Sequence, residues 1–519
     1  MADGASFISI PDRLRERAAA LRARPALYCD GAVRSYEELD GAATRVARAL
    51  RAAGLVTGQR AALLSENSPR FIEAFLGIVR AGLCGVTIPT VLRATGVATM
   101  LRDSVARVVF VSAAMRELAE HAFTEAVELA PVARVGLDFA APGWVSYDTW
   151  LAGEESMQHD VKIEPTLEFN IIYSSGTTGT PKGIIHTHRT RANMARGPGQ
   201  LGVGEDTVTL VSSPLYANLG LPAVLGTLWA GGAAVVLSRF DPEWYLALAV
   251  AHRATHFYLV PEQVRRLLAS PKFQRSDLSA TRLKYVVGSA FPVPLKQALL
   301  ARWPGAAVEV YGATEGAPVT MHVLGEPGDR LESVGRAAGG CEIRVIDDDG
   351  RELPVGETGE IVGRSGSMMM GYNNQLAATE ALLWRDAAGA VYFRSGDVGR
   401  LDADGFLYLS DRKKDMIISG GLNVYAADLE PVVSQHPAVA DVAVVAAPSE
   451  RWGETPVAFV VLQPGHAPDA AAIIAWSNER LGKHQRLSGI EFCESLPRNA
   501  LGKVLKRDLR EEYRRRHLK

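Results

Sequence analysis

The segment 174–183 reads SSGTTGTPKG, ten residues without one apolar side chain. It cannot build a core. Its glycines, serines and threonines can bring backbone N–H groups and hydroxyls close to phosphate oxygens, and Lys182 adds the charge that phosphate attracts. The spacing departs from the GxxxxGK[ST] pattern, because Pro181 stands where that pattern has its second glycine. The residues alone leave two readings: a phosphate loop of another kind, or a flexible surface loop.

Such a loop needs elements to hold it. FNIIYSS before it reads as a strand, and IIHTHRTRANMAR after it reads as entering a helix. Upstream, apolar runs alternate with helical patterns. Ser35 and Glu38 in SYEEL form a capping box that opens a helix ending near Gly54. RAALLS and CGVTIP read as buried strands flanking the helix PRFIEAFLGIVRAG, and ARVVFVS as a further strand. This alternation predicts an α/β architecture with largely parallel sheets. Val208 to Ser238 carries no charged side chain, but Pro214, Gly220, Pro222, Gly226, Gly231 and Gly232 interrupt it. It reads as a buried helix over about 218–230, a Gly-Gly turn and a buried strand, not as a membrane span.

From about residue 330 short strands broken by DG and GE turns predict antiparallel hairpins forming a small β-barrel over about 330–411. From about 412 a smaller alternation predicts a separate α+β domain: AADLEPVVSQHP and AAIIAWSNERL as helices, VADVAVVAAP and PVAFVVL as strands. The predicted division is therefore 1–411 and 412–519.

With 519 residues, 56 basic and 58 acidic, the chain is long enough for several domains and nearly neutral. That balance argues against a nucleic-acid footprint or a polybasic membrane contact. The basic end REEYRRRHLK reads as a solvated last helix. Cys29, Cys84, Cys341 and Cys493 are far apart with no CxxC pair, which argues against a zinc site or a disulfide framework and for a reducing, cytoplasmic compartment. MADGASFISIPDRLRERAAA has no basic segment followed by an apolar run, so no secretory leader is expected.

YSSGTTGTPKGIIHTH resembles the phosphate-binding loop of the adenylate-forming superfamily, which includes acyl-CoA synthetases, aryl-CoA ligases, amino-acid adenylation domains and luciferase. Further matches follow in the family's order: YGATE at 311–315, RSGDVGRLDADGFLYLSDR at 394–412, KDMIISGGLNVYAADLE at 414–430, RWGE at 451–454 and PRNALGKVLKRDLR at 497–510. Together they span nearly the whole chain. The resemblance implies joining of a carboxylate to AMP with release of pyrophosphate, then attack on the mixed anhydride by a thiol, usually that of CoA.

By the same resemblance Ser174, Ser175, Gly176, Thr177, Thr178, Gly179 and Lys182 cradle the β- and γ-phosphates of ATP. Glu315 is the Mg²⁺ ligand and Thr314 an α-phosphate contact. Tyr311 lies against adenine, Asp397 accepts from the ribose hydroxyls, and Arg412 is a second ribose or phosphate contact. Lys503 bridges the carboxylate and the α-phosphate during adenylation. Lys414 is the hinge on which the C-terminal domain swings, bringing Gly420 and Gly421 to the thiol tunnel. Asp402 and Asp404 are expected to form a plain turn, Lys506 and Arg507 to be solvated, and RWGE to serve packing. His186 and His188 are expected to be structural, and a pocket role is the lesser alternative for His322.

The acid pocket is expected around 213–221, 288–292 and 311–321, with Tyr216, Ala217, Asn218, Gly288, Ser289, Ala290 and Gly312 lining it. Many coumarate- and chlorobenzoate-type ligases carry a His where this chain has Ala217, and amino-acid adenylation domains usually carry an Asp there. Alanine cannot pair with an ammonium, which argues against an α-amino acid. Benzoate–CoA ligases share the aromatic–Ala pair, which favours an aryl or compact cyclic acid, with a short or medium aliphatic chain still open. Asn218 either bonds a polar substituent or caps a helix. The expected partners are the acid, ATP and CoA, with no nucleic acid and no membrane span; a homo-oligomer stays open. Competing with an acid–CoA ligase are an adenylate former that loads a carrier protein, a light-emitting or oxidising adenylate enzyme, and a non-catalytic nucleotide binder. Retention of Lys503, Glu315, Asp397 and the full loop argues against the last.

Overall fold

The computed structural model describes residues 7–126, 133–152, 161–174, 181–326, 328–412, 415–419, 422–483, 485–499 and 502–517. Two large sheets dominate it. One has nine strands, in the order Arg336–Ala337, Val319–Leu324, Ala306–Gly312, Leu283–Val287, His256–Leu259, Val208–Val211, Ala233–Val236, Pro25–Cys29 and Ala32–Ser35. Its central strands run parallel. The other has eight, in the order Gly371–Tyr372, Lys182–Thr187, Glu168–Ser174, Cys84–Thr87, Arg60–Leu64, Val108–Val111, Ala133–Gly136 and Val145–Ser146. It is parallel except where Lys182–Thr187 pairs antiparallel with both of its neighbours.

The largest core joins the two sheets. Leu27, Val211 and Val236 of the first share it with Ala61, Val108 and Phe110 of the second, and the helices Tyr36–Ala52, Pro69–Arg80 and Gly220–Ala230 contribute to it. The Ser35–Glu38 capping box forms as expected, and Ser68 caps the second helix by accepting from the Phe71 N–H. Pro69–Arg80 crosses Tyr36–Ala52 at Gly77, where an added Cβ would fall 2.3 Å from Val46 Cβ. The uncharged stretch becomes Val208–Val211, the helix Gly220–Ala230 and Ala233–Val236, all largely buried. Among the described residues no helix is long and apolar enough to cross a membrane.

The hairpins after residue 330 form a five-stranded antiparallel sheet. Val391–Leu401 pairs on one edge with Gly359–Arg364 and on the other with Leu383–Arg385 and then Leu407–Arg412; Glu342–Ile346 pairs with the far side of Gly359–Arg364. Among the described residues no pairing closes these strands into a ring. A second five-stranded sheet holds Leu422–Val424, Ile417–Ser419, Gly453–Leu462, Val439–Ser449 and Gly489–Phe492. It has its own core around Ile417, Leu429, Val444, Val460 and Ile473.

One expectation is corrected. Residues 184–187 are not yet helical. KGIIHT is a strand hydrogen-bonded on both sides, and the helix begins only at His188, capped by Thr187. Two β-branched isoleucines in a buried central position favour the strand.

Candidate functional site

Ser174 and Lys182 face each other in register, so the glycine-rich segment closes an antiparallel hairpin. Ser175, Gly176, Thr177, Thr178 and Gly179 lie outside the described residues. Lys182 Nζ stands 4.6 Å above the ring of Tyr372. The Tyr372 hydroxyl donates to Glu315 Oε1 at 2.8 Å. Burial, and next the Glu315 carboxylate, push that phenol well above its ordinary range. One ring thus joins the loop lysine to the glutamate of YGATE. Tyr372 carries no motif, and sequence reasoning missed it. The Glu315 carbonyl accepts from the Met369 N–H at 2.8 Å. Gly316 sits at φ +90°, and an added Cβ would meet the Ser367 carbonyl oxygen at 1.9 Å, so only glycine fits there.

Among the described residues no three His, Cys, Asp or Glu side chains are grouped to cage a metal ion. A lone carboxylate fixed by Tyr372 near Lys182 suits Mg²⁺, which commonly takes one or two carboxylates and completes its shell with water and substrate phosphates.

Tyr311, near the end of Ala306–Gly312, donates to Asp397 Oδ2 at 2.7 Å. The Asp397 N–H is held by Ser395 Oγ at 3.0 Å, and Arg412 lies directly opposite Asp397 in the sheet register. Three residues singled out from two separate motifs therefore meet. Asp402 and Asp404 form the expected turn, with Arg330 bonded to both.

The expected acid-pocket segments follow the carboxyl ends of neighbouring parallel strands, where open α/β sheets bind ligands. Residues 213–218 follow Val208–Val211; Gly288, Ser289 and Ala290 follow Leu283–Val287; Gly312 ends Ala306–Gly312. Two side chains on the far side of the core hold the first segment by its main chain. Asn67 donates to the carbonyls of Ser213 (3.1 Å) and Leu237 (2.8 Å) and accepts from the Leu215 N–H (2.7 Å). Thr87 donates to the Tyr216 carbonyl at 3.1 Å. Tyr216 and Ala217 are buried. Asn218 does not cap Gly220–Ala230, whose first turn has no side-chain cap. It accepts instead from Arg191 Nη1 at 2.7 Å.

Arg191 is the centre of a buried junction. Only 1% exposed, it also donates from Nε to Asn170 Oδ1 at 2.8 Å and from Nη2 to His186 Nδ1 at 3.0 Å. Because guanidinium only donates, His186 Nδ1 accepts and Nε2 carries the hydrogen. That Nε2–H donates to the Thr314 carbonyl at 2.8 Å. The neutral ring is favoured further: burial, and next the adjacent guanidinium, hold His186 well below its ordinary range. Burial alone pulls Arg191 down to about 9. A chain of hydrogen bonds thus crosses from Asn170 and His186 in the eight-stranded sheet to Thr314 beyond the nine-stranded sheet, with a branch to Asn218. The expectation that His186 is structural is met, but Arg191 and Asn170 were missed. The available signal was helical spacing: His188, Arg191, Ala192 and Ala195 share the buried face of His188–Arg196.

His188 is 1% exposed, edge-on to Phe169 at 4.9 Å, and its ring nitrogens find no partner among the described residues. His322 is buried, with Nδ1 donating to the Ser333 carbonyl (3.0 Å) and Nε2 to Asp329 Oδ1 (2.5 Å), which fits a structural role.

Lys503 is half-buried in a turn closed by mutual bonds with Asn499: its N–H donates to Asn499 Oδ1 and its carbonyl accepts the Asn499 N–H, both at 2.9 Å. The turn rests on Pro261–Ala269, with Gly502 so close to Glu262 that an added Cβ would fall 3.1 Å from Glu262 Cβ. That helix starts where His256–Leu259 ends, on the same sheet edge as the pocket segments. Lys506 is not solvated as expected; it pairs with Glu430 at 2.8 Å, whereas Arg507 is exposed. Trp452 is 47% exposed, so the expected packing role for it is corrected; Arg451 lies over its ring at 4.6 Å. Lys414, Gly420 and Gly421 lie outside the described residues, as does the side chain of Arg412.

The AMP-binding enzyme family model matches residues 14–373, and that of the AMP-binding enzyme C-terminal domain matches 428–503. The indoleacetate–CoA ligase of Aromatoleum aromaticum is 34% identical over 484 residues, covering 92% of each chain. A fatty acid–[acyl-carrier-protein] ligase of Streptomyces coeruleorubidus is 32% identical, covering 94% of this chain and 93% of that one. The crystal structure of an anthranilate–CoA ligase in complex with anthranoyl-AMP superposes with a TM-score of 0.87 at 26% identity, covering 98% of this chain and 97% of the other. The chain belongs to the AMP-binding enzyme family and is an adenylate-forming acid–thiol ligase.

Proposed function

We propose that the protein is an ATP-dependent carboxylic acid–CoA ligase acting on an aryl, compact cyclic or short-to-medium-chain acid. A carboxylate oxygen attacks the α-phosphorus of ATP, the bond to pyrophosphate breaks, and acyl-AMP forms. The CoA sulfur then attacks the acyl carbon, AMP leaves, and the thiol proton passes to solvent. The observation that carries the reading is the meeting of Lys182, Tyr372 and Glu315, with Thr314 next to Glu315 in the chain and Tyr311, three residues before Thr314, bonded to Asp397.

In this reading Ser174 to Gly179 and Lys182 hold the β- and γ-phosphates, and Thr314 contacts the α-phosphate. Asp397, with Arg412, takes the ribose while Tyr311 supports the adenine. Glu315 would hold Mg²⁺, which when bound neutralises charge on the leaving pyrophosphate. Lys503 steadies the carboxylate and the α-phosphate during attack. The first domain ends at 411, Lys414 is the hinge, and Gly420 and Gly421 let the backbone approach the pantetheine arm. Ala217 and the buried Arg191 behind Asn218 both disfavour an ammonium in the pocket. The likeness to proteins named for indoleacetate and anthranilate supports an aryl acid.

The relative named for a carrier protein supports a second acceptor, a carrier-bound pantetheine thiol. The test is pyrophosphate release from Mg·ATP across benzoates, arylacetates, cinnamates, cyclic acids and C2–C12 fatty acids, with and without CoA. Turnover that requires both acid and CoA, with the thioester seen by mass spectrometry, is expected. Release that stops after about one equivalent whether or not CoA is present would move the acceptor to a carrier protein. No release with any acid would overturn the ligase reading.

A further inference from the structure

Arg191 is a buried cation without an anion. Its bonds go to two asparagine oxygens, a neutral imidazole and the Met194 sulfur, and among the described residues no carboxylate pairs with it. Desolvating an arginine without a counter-charge is costly, and such a charge persists where something else depends on it. Its bond to Asn218 has a directional consequence. A guanidinium can only donate, so the atom of Asn218 that faces it must be the amide oxygen. The planar amide then presents Nδ2–H₂ on the other side. Asn218 is half-buried, and among the described residues nothing accepts from Nδ2. Its segment is fixed by Asn67 and Thr87, so the amide is held in place as well as oriented.

We propose that Asn218, oriented by Arg191, is a specificity-determining donor that selects acids whose far end carries a hydrogen-bond acceptor oxygen, such as a second carboxylate, a ketone or an ether. This rests on the ligase reading above and narrows its acid. Arg191 acts twice. It fixes which arm of the amide faces the substrate, and its positive potential favours the negative end of the acceptor. Acids ending in an ammonium are rejected by the same charge.

The experiment measures kcat/KM for acid-dependent pyrophosphate release by the full chain, using acids that share a skeleton. Benzoate is compared with 4-acetylbenzoate, phenylacetate with 4-methoxyphenylacetate, and hexanoate with adipate; 4-(aminomethyl)benzoate is the cationic control. The wild type is expected to favour the acceptor-bearing partner by about tenfold or more in at least one pair, the scale of a hydrogen bond strengthened by a neighbouring charge. In Asn218→Leu that ratio should collapse toward one. In Asn218→Asp the new carboxylate pairs with Arg191 and the donor is lost, so the ratio should fall below one and the cationic control should gain. Turnover without preference in every wild-type pair would overturn the proposal while leaving the ligase intact. A ratio unchanged in Asn218→Leu, with all acids slowed alike, would also overturn it and make Asn218 a structural group. No turnover with any acid would remove both the ligase reading and this proposal.

Discussion

Two regions with expected roles in the same chemistry are built in opposite ways. Around Arg191, side chains from the helix His188–Arg196, two strands of one sheet and loops beyond the other are locked by buried, directional hydrogen bonds. Lys503 sits half-buried in a short turn, attached to a separate small sheet with its own core, and the turn meets the helix Pro261–Ala269 where Gly502 lies against Glu262. On the proposed reading, the contrast teaches that the groups assigned to acid and nucleotide are preset, whereas the lysine would be delivered. A preset group costs no reorganisation during reaction, and a delivered one can be withdrawn.

Five substitutions or conditions sharpen or break this contrast. Lys503→Ala should slow acyl-adenylate formation by roughly a thousandfold, the scale of losing a charge that acts on the transition state, and spare thioester formation from supplied acyl-adenylate. Survival of both half-reactions would remove Lys503 from the site. Glu315→Gln keeps an acceptor for Tyr372 but loses the charge, so adenylation should fall about a hundredfold and the Mg²⁺ concentration for half-activity should rise. Lys414→Pro should stiffen the proposed hinge, slowing thioester formation about tenfold or more with little effect on pyrophosphate release. Equal loss of both steps would argue against a hinge there.

His186→Phe removes the donor to Thr314 and the acceptor for Arg191. It should cost about 1–3 kcal/mol in stability and lower kcat for adenylation about tenfold, and His186→Gln, which both donates and accepts, should recover part of the rate. If both variants lost only stability, Thr314 would not depend on the junction. Last, His186 is held well below the usual histidine range and His188 is pulled down to about 3, both chiefly by burial. The unfolded chain then binds more protons than the folded one below about pH 6.5, so stability rises with pH in that window and is lost on acidification from about 6.5 toward 3. Each group contributes a slope of about 1.4 kcal/mol per pH unit there. Chemical denaturation of His188→Phe between pH 4 and 6.5 should show a shallower pH dependence than the wild type.

Local signals carried much of the fold. The Ser35–Glu38 box, the Gly231–Gly232 turn and the DG turns act over a few residues, and each appears where the sequence places it. The strand 182–187 pairs mainly with Glu168–Ser174 across the glycine-rich segment, a hairpin that the helical pattern from His188 onward masked. Distance along the chain hid Tyr372, which touches Glu315 from 57 positions away. Arg191 looked like an ordinary helix charge; only tertiary packing turned its face inward. Lys506 looked solvated because Glu430, its partner, is remote in sequence.

The grip of Asn67 and Thr87 on residues 213–216 has a consequence for evolution. Every bond they make to that segment ends on a main-chain atom. The backbone is therefore held independently of the side chains it displays. Tyr216 and Ala217 can be exchanged without loosening that support, so they behave as an interchangeable cassette, whereas Asn218 stays tied to Arg191. On the proposed pocket assignment, changes at 216 and 217 would alter the acid accepted without touching the hydrogen bonds that hold Thr314.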